Sequence, residues 1–289
     1  MLYDTLVAPF LDYSFMRRAL VGCVALSFGG CPLGVLLVLR RMSLVGDAMA
    51  HAILPGAAIG FLVSGLSLMS MTIGGVLSGL AVAGLAGLVA RVTPLREDAS
   101  FAAFYLISLG FGVMLVSLRG SNIDLLHVLF GTVLALDDPA LLLIVSIASL
   151  TLVALAIIYR PMIVECLDPG FLRAAGGGGS IIHMVFVMLV VGNLVGGFQA
   201  LGTLMVVGLM MIPAVSARFW SRSVAGQMLT ATVIGVAASI AGLLISYHLS
   251  APASSAIILS AGTLYILSIL CGRYGSVAAS TIRLRHRTG

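Results

Sequence analysis

The chain contains no lysine, and all 15 of its basic residues are arginine. A P-loop NTPase needs a lysine to hold the β- and γ-phosphates of its nucleotide. This chain therefore cannot contain that motif. If ATP drives its activity, a separate subunit must hydrolyse it.

Charge is also scarce, since 9% of the 289 residues are charged and 61% are hydrophobic. A soluble protein carries charge on about a quarter of its residues, so most of this surface must face lipid. Apolar runs recur along the whole chain, which excludes a soluble domain with one anchor. Residues 1–15 carry Asp4 and Asp12 and no basic group, which is not the pattern of a cleavable signal peptide.

The common hydrolase motifs HExxH, GxSxG and CxxC are missing as well, so we expect no enzyme. The net charge is +5, and the arginines lie at the ends of apolar runs. Anionic lipid and the positive-inside bias account for arginines at such positions. The charge therefore favours a lipid bilayer as partner, and no nucleic acid.

Eight apolar segments are long enough to cross a bilayer, and two shorter ones, 123–136 and 183–196, bring the total to eight to ten. We predict an all-α, polytopic membrane helix bundle, with residues 1–289 forming one transmembrane domain. The eight predicted spans are residues 17–39, 45–66, 69–90, 101–118, 140–158, 199–217, 225–247 and 255–272.

Arginine placement predicts the orientation. The tail 273–287 carries four arginines, which puts the C-terminus in the cytoplasm. Counting spans backwards puts the loop 159–182 there too, and it is the only long polar connection. Asp168 and Pro169 have the positions of an N-cap and a first helical residue for a short helix, about 168–175. This helix is either a docking surface for a partner or an ordinary amphipathic connector.

The stretch RRMSLVGDAMAHAILPGAA, residues 40–58, places Asp47 and His51 one helical turn apart, about 6 Å along the axis. A carboxylate and an imidazole inside a span are costly to bury, and both are ligands for zinc or manganese. Two ligands are too few, because zinc usually takes four. A two-fold homodimer would supply four. Alternatively, Asp47 caps the helix and His51 bonds a neighbouring carbonyl.

Asp124 and His127 form a second pair, three residues apart. They are either a second ion site, or a helix cap and an interfacial histidine.

Residues 40–58 resemble the signature of the metal-ion ABC transporter permeases, a bacterial family that imports zinc, manganese or iron. Three further blocks are similar in order and spacing: DLLHVLFG at 124–131, the Asp-Pro segment 168–176, and residues 202–217 with Ile-Pro-Ala at 212–214. The resemblance covers about residues 17–272. Residues 250–257 depart from it, because the usual acid and Gly-Pro are missing.

The resemblance implies a type II ABC importer-like permease in the bacterial inner (plasma) membrane, with a pore formed by two copies. Cytoplasmic ATP-binding subunits would dock at a coupling loop, about 160–180, and an extracytoplasmic metal-binding protein would deliver the ion. The divalent metal would be the transported substrate, with no cofactor bound permanently. The family's pore-lining residues fall on Asp47 and His51, and its docking segment falls on Asp168, Pro169, Arg173 and Gly176.

Other functions fit the same residues. One is an ion-coupled secondary metal transporter with Asp47 and Asp124 as proton groups. Another is an ABC permease for a bulky metal chelate, and a third is a scaffold whose buried polar groups are structural. Aspartate and histidine accept zinc, manganese and iron alike, so the sequence does not choose the metal.

Overall fold

The computed structural model describes residues 7–65, 67–95, 97–118, 136–168, 171 and 178–277. In these ranges the chain forms helices and no strand, which confirms the predicted all-α bundle. The helices are α1 (Ala8–Asp12), α2 (Ser14–Leu39), α3 (Val45–Ala52), α4 (Leu54–Ser64), α5 (Leu68–Val92), α6 (Glu97–Leu118), α7 (Asp138–Leu167), α8 (Gly179–Leu201), α9 (Thr203–Ala217), α10 (Val224–Leu249) and α11 (Ala253–Cys271).

Eight spans in the described ranges are long and apolar enough to cross a membrane, which lies within the predicted eight to ten. α3 and α4 together supply one of them, Val45–Ser64, and α9 is too short to count. The segment 123–136, on which the total depended, lies outside the described residues.

A break at Gly202 corrects two predicted boundaries. Its φ of 91° and ψ of 153° belong to a region that is open essentially only to glycine, and α8 ends and α9 begins there. Residues 199–217 are therefore not one span, and 183–196 are the middle of a 23-residue helix. Hydropathy is continuous across this position, so it could not reveal a break set by one backbone conformation.

The start of the predicted polar loop 159–182 is also wrong, because α7 continues past Pro161 to Leu167. The helix begins as its sequence suggests. Asp137 is the N-cap and accepts the backbone N–H of Ala140 at 3.0 Å. As a result Glu165, which the sequence placed in a loop, lies on a helix and is buried.

A tight cap at the end of α2 directs the chain into α3. The N–H of Met42 bonds the carbonyl of Leu37 at 2.9 Å, and the N–H of Arg41 bonds that of Val38 at 3.1 Å. This pair of bonds is a Schellman motif, and Arg41 takes its left-handed position with φ 59°.

α3 is a short helix between two interruptions of the chain, the cap after α2 and the turn at Ile53. It packs mainly against α6, and also against α5, α8 and α9. Met49, Ala52 and Ile53 are at most 1% exposed, so this packing fixes one side of α3 in the core.

Candidate metal site

The candidate ligands lie on the side of α3 that the described part of the chain leaves open. The side chain of Asp47 is 60% exposed, that of His51 is 28% exposed, and Leu44 on the same side is 78% exposed. These three residues form the exposed stripe of α3. Val45 and Met49, on the other side of the helix, are buried. A ligand or a second protein chain can therefore reach both candidate ligands.

The two groups converge at a distance that suits a single ion. Nε2 of His51 lies 3.8 Å from Oδ1 of Asp47. Metal bonds to these atoms are about 2.0–2.2 Å long, so two ligands of one ion are separated by roughly 3 Å when cis and 4.2 Å when trans. The observed distance lies between these limits. One ion can bridge the pair with only small side-chain adjustments.

The alternative structural roles for this pair do not match the geometry. Leu44 is the N-cap of α3, and no side-chain bond caps the helix. Nδ1 of His51 is buried and has no hydrogen-bond partner among the described residues. Within that part of the chain, Asp47 is not a cap and His51 bonds no carbonyl.

Tyr105 on α6 holds the other side of the imidazole. The two ring centroids are 6.1 Å apart and the planes meet at 27°, which is a stacked arrangement. This contact places an aromatic ring of α6 beside the imidazole. Sequence reasoning missed Tyr105, because no motif links α6 to α3 and only the folded chain brings them together.

Directly after His51, two hydroxyls bond to the end of α3. Ser78 of α5 and Ser108 of α6 both donate to the carbonyl oxygen of Ala52, at 2.7 and 3.2 Å. Pro55 follows in the first turn of α4 and has no N–H to donate. The two bonds attach the end of α3, which carries the candidate ligands, to α5 and α6.

The described part of the chain contains no group of three or more His, Cys, Asp or Glu residues that could hold a metal ion. Within that part, Asp47 and His51 are thus two candidate ligands without a third. Both residues of the second predicted pair, Asp124 and His127, lie outside the described residues.

Most of the predicted docking residues also lie outside the described part: Pro169, Arg173 and Gly176. Asp168 is described, and its Oδ1 accepts the backbone N–H of Phe171 at 2.9 Å. This is the bond that an N-cap residue makes, as predicted for the start of the helix 168–175.

Comparison with known proteins gives consistent matches over most of the chain. The pattern of the family described as "ABC 3 transport family" matches residues 12–272. The manganese import system permease protein ScaB of Streptococcus parasanguinis is 28% identical over 267 residues, which cover 91% of this chain and 94% of that protein. The chelated iron transport system membrane protein YfeD of Yersinia pestis is 27% identical, with 93% and 89% covered.

A solved structure described as PsaBC from Streptococcus pneumoniae in complex with Fab has a similar fold. The TM-score is 0.84 at 25% sequence identity, and the match covers 99% of this chain and 100% of that one. The resemblance expected from residues 40–58 is confirmed over nearly the whole chain.

Proposed function

Because the chain belongs to the ABC 3 transport family, we propose that it is the pore-forming subunit of an ATP-driven importer for a divalent transition metal. Asp47 and His51 bind the ion during its passage. The observation that carries this assignment is the open pair itself: Nε2 and Oδ1 lie 3.8 Å apart on the exposed stripe of α3.

The protein acts as a homodimer in this proposal. One described chain offers two ligands, whereas zinc usually takes four and manganese more. A second copy facing the exposed stripe would add its own aspartate and histidine around a two-fold axis. The donors are a carboxylate and an imidazole, without a thiolate, which suits an ion that must be released again.

Two kinds of partner complete the transporter. The chain lacks lysine, so a separate cytoplasmic subunit with a P-loop must hydrolyse the ATP. That subunit docks at the segment between α7 and α8, where Asp168 begins the predicted helix. An extracytoplasmic metal-binding protein delivers the ion at the opposite end, and the C-terminus faces the cytoplasm.

Manganese is the first candidate for the metal, and zinc is the second. Oxygen and nitrogen donors suit both ions. The name of ScaB favours manganese, whereas that of YfeD refers to chelated iron. A competition experiment distinguishes import of a free ion from import of a chelate. If the free ion is the substrate, excess free manganese should block metal uptake, and an iron chelate should not.

The test is metal uptake by the assembled transporter in proteoliposomes. Asp47→Asn and His51→Ala should each lower manganese or zinc uptake by at least about 10-fold, because the first replaces a charged ligand with a neutral amide and the second removes a ligand. Asp138→Asn is the control, since that carboxylate is 68% exposed and pairs with Arg18 far from α3. Uptake at the wild-type rate in either of these two variants would contradict the proposal that Asp47 and His51 bind the ion.

The same vesicles separate this proposal from a secondary transporter. ATP-driven uptake should stop with a nucleotide analogue that cannot be hydrolysed. Uptake that continues under a proton gradient without ATP would instead favour the ion-coupled carrier.

A further inference from the structure

A buried charged cluster lies at the end of α2, apart from the metal ligands. The side chains of Arg40 and Glu165 are 9% and 8% exposed, and Nη2 of the arginine lies 3.6 Å from Oε1 of the glutamate. Nη1 of Arg40 lies 2.8 Å from Nδ1 of His183. The guanidinium carbon is also 5.5 Å from the centre of the Phe186 ring. One guanidinium therefore contacts two helices besides its own, α7 and α8.

The chemistry of the contacts defines the protonation of the cluster. Arginine has N–H donors and no acceptor, so Nδ1 of His183 must accept with its lone pair. In this contact His183 is neutral and carries its proton on Nε2. Arg40 and Glu165 then balance each other's charge. Oε2 of Glu165 has no hydrogen-bond partner within the described residues.

The two Nη atoms of the guanidinium contact different helices. Among the side chains, only that of arginine offers this planar, forked arrangement of donors. Nη1 is directed to α8 and Nη2 to α7. A lysine ammonium keeps the charge, but it is a single point on a flexible stem and cannot reproduce this fork. Arg40→Lys therefore removes the geometry of the cluster while leaving its net charge unchanged.

The positions of the three residues along the chain give the cluster its significance. Glu165 lies three residues before Asp168, and His183 lies near the start of α8, so both are close to the proposed docking segment. Arg40 directly precedes the turn that leads into α3 and its metal ligands. The guanidinium thus contacts the helices on both sides of the docking segment and directly precedes the turn into α3.

We propose that Arg40 is a positioning residue that couples the docking segment to the metal pair, a proposal that rests on the proposed function. Separating a buried ion pair leaves an unpaired charge in the core, so the ends of α2, α7 and α8 move together. An apolar contact would allow them to slide. A displacement of the docking segment by the ATPase therefore shifts α3, and with it the ions bound at Asp47 and His51.

The test measures how many metal ions are imported for each ATP hydrolysed by the complete transporter in proteoliposomes. In Arg40→Lys and in Glu165→Gln this ratio should fall at least about threefold, while ATP is still hydrolysed. Manganese binding to the same complexes in detergent should keep its wild-type affinity, because Asp47 and His51 are intact. A merely structural cluster would lower the melting temperature without changing the ratio.

Arg18→Lys is the matched control. Arg18 lies on α2, which ends directly before Arg40, and it also pairs with a carboxylate, Asp138, at 2.9 Å, but the two side chains are 45% and 68% exposed. It should keep the wild-type ratio.

An unchanged ratio in Arg40→Lys and Glu165→Gln, with wild-type uptake that depends on ATP, would overturn the coupling role alone. A wild-type complex whose uptake does not depend on ATP would overturn the proposed function, and the coupling role with it. The two failures are therefore distinguishable.

Discussion

Arg41 has a backbone conformation that is unusual for an arginine. Its φ of 59° lies in the left-handed region, which costs an L-residue with a Cβ about 1–2 kcal/mol. The Schellman bonds at the end of α2 require this conformation, and the exposed side chain does not relieve the strain. The turn into α3 is therefore built around one strained residue.

Two substitutions test this strain. Arg41→Gly should leave the melting temperature of the detergent-solubilised protein unchanged or raise it, since glycine adopts the conformation freely. Arg41→Val should lower the stability by about 1–2 kcal/mol, because a β-branched residue is least tolerated there. Equal stability of the two variants would contradict the assignment.

The stacked contact between His51 and Tyr105 predicts a graded effect on metal affinity. Tyr105→Phe keeps the ring and should bind manganese as the wild type does. Tyr105→Leu removes it and should raise the dissociation constant by roughly 2- to 10-fold, since such aromatic contacts contribute about 0.5–1.5 kcal/mol. Isothermal titration of the solubilised protein measures both. A wild-type dissociation constant in Tyr105→Leu would mean that the stacking does not hold the imidazole in place.

At the residue scale, sequence reasoning was effective where the partners are close along the chain. Asp47 and His51 are one helical turn apart, so their common face followed from helix geometry. Arg40 and His183 are 143 positions apart, and no local pattern signals their contact. Glu165 was assigned to a loop because its neighbours Arg160 and Asp168 made the segment look polar.

At the scale of elements, α4 and α5 cross at a point where only glycines fit. A Cβ on Gly56 would collide with the carbonyl oxygen of Gly74, and one on Gly60 with that of Ser70. Small residues allow such close approach of helices in a membrane, where packing has to replace the hydrophobic effect. This crossing supports the break at Ile53, since α4 begins directly after it.

The crossing predicts different results for one substitution at two sites. Gly56→Ala should destabilise the solubilised protein by about 1–3 kcal/mol, because backbone atoms of α5 would have to move. Gly84→Ala on α5 is the control, since a Cβ there meets nothing within 4 Å. We expect its melting temperature to stay the same or rise slightly. A tolerated Gly56→Ala would show that the helices can separate at no cost.

Apolar runs predicted most of the spans but not their interruptions. Length and hydropathy are sufficient for a helix such as α10, which crosses without a break. The interruption at Gly202 is a property of one glycine among many in this chain. α7, which continues past Pro161, packs against α2 and α8, and contacts between distant helices have no local signature in the sequence.

At the scale of the whole molecule, the open stripe on α3 is a surface that a second copy of the chain would cover in the proposed dimer. Asp47 is more exposed than expected for a carboxylate within a membrane span, where polar groups face a bundle interior or an aqueous cavity. In the proposed dimer the stripe faces its own copy, and the exposure of a single chain becomes the lining of a shared passage.

Cross-linking tests this arrangement. In a background with the exposed Cys271 changed to Ser, Leu44→Cys should form covalent dimers with a short bismaleimide, because Leu44 lies on the stripe and is 78% exposed. Leu150→Cys, at a position that is 64% exposed on α7, should stay monomeric on a denaturing gel. The reverse pattern would place the contact between copies elsewhere.

The brevity of α3 has a mechanical consequence. The helix has eight residues, about 12 Å in length, and both of its ends are turns. Because one side of this short piece is packed in the core, it moves as a rigid unit with the helices that it contacts. In the proposed transporter the carboxylate and the imidazole would therefore move together and keep their spacing, so that a bound ion would stay held while the side of the membrane to which it is exposed changes.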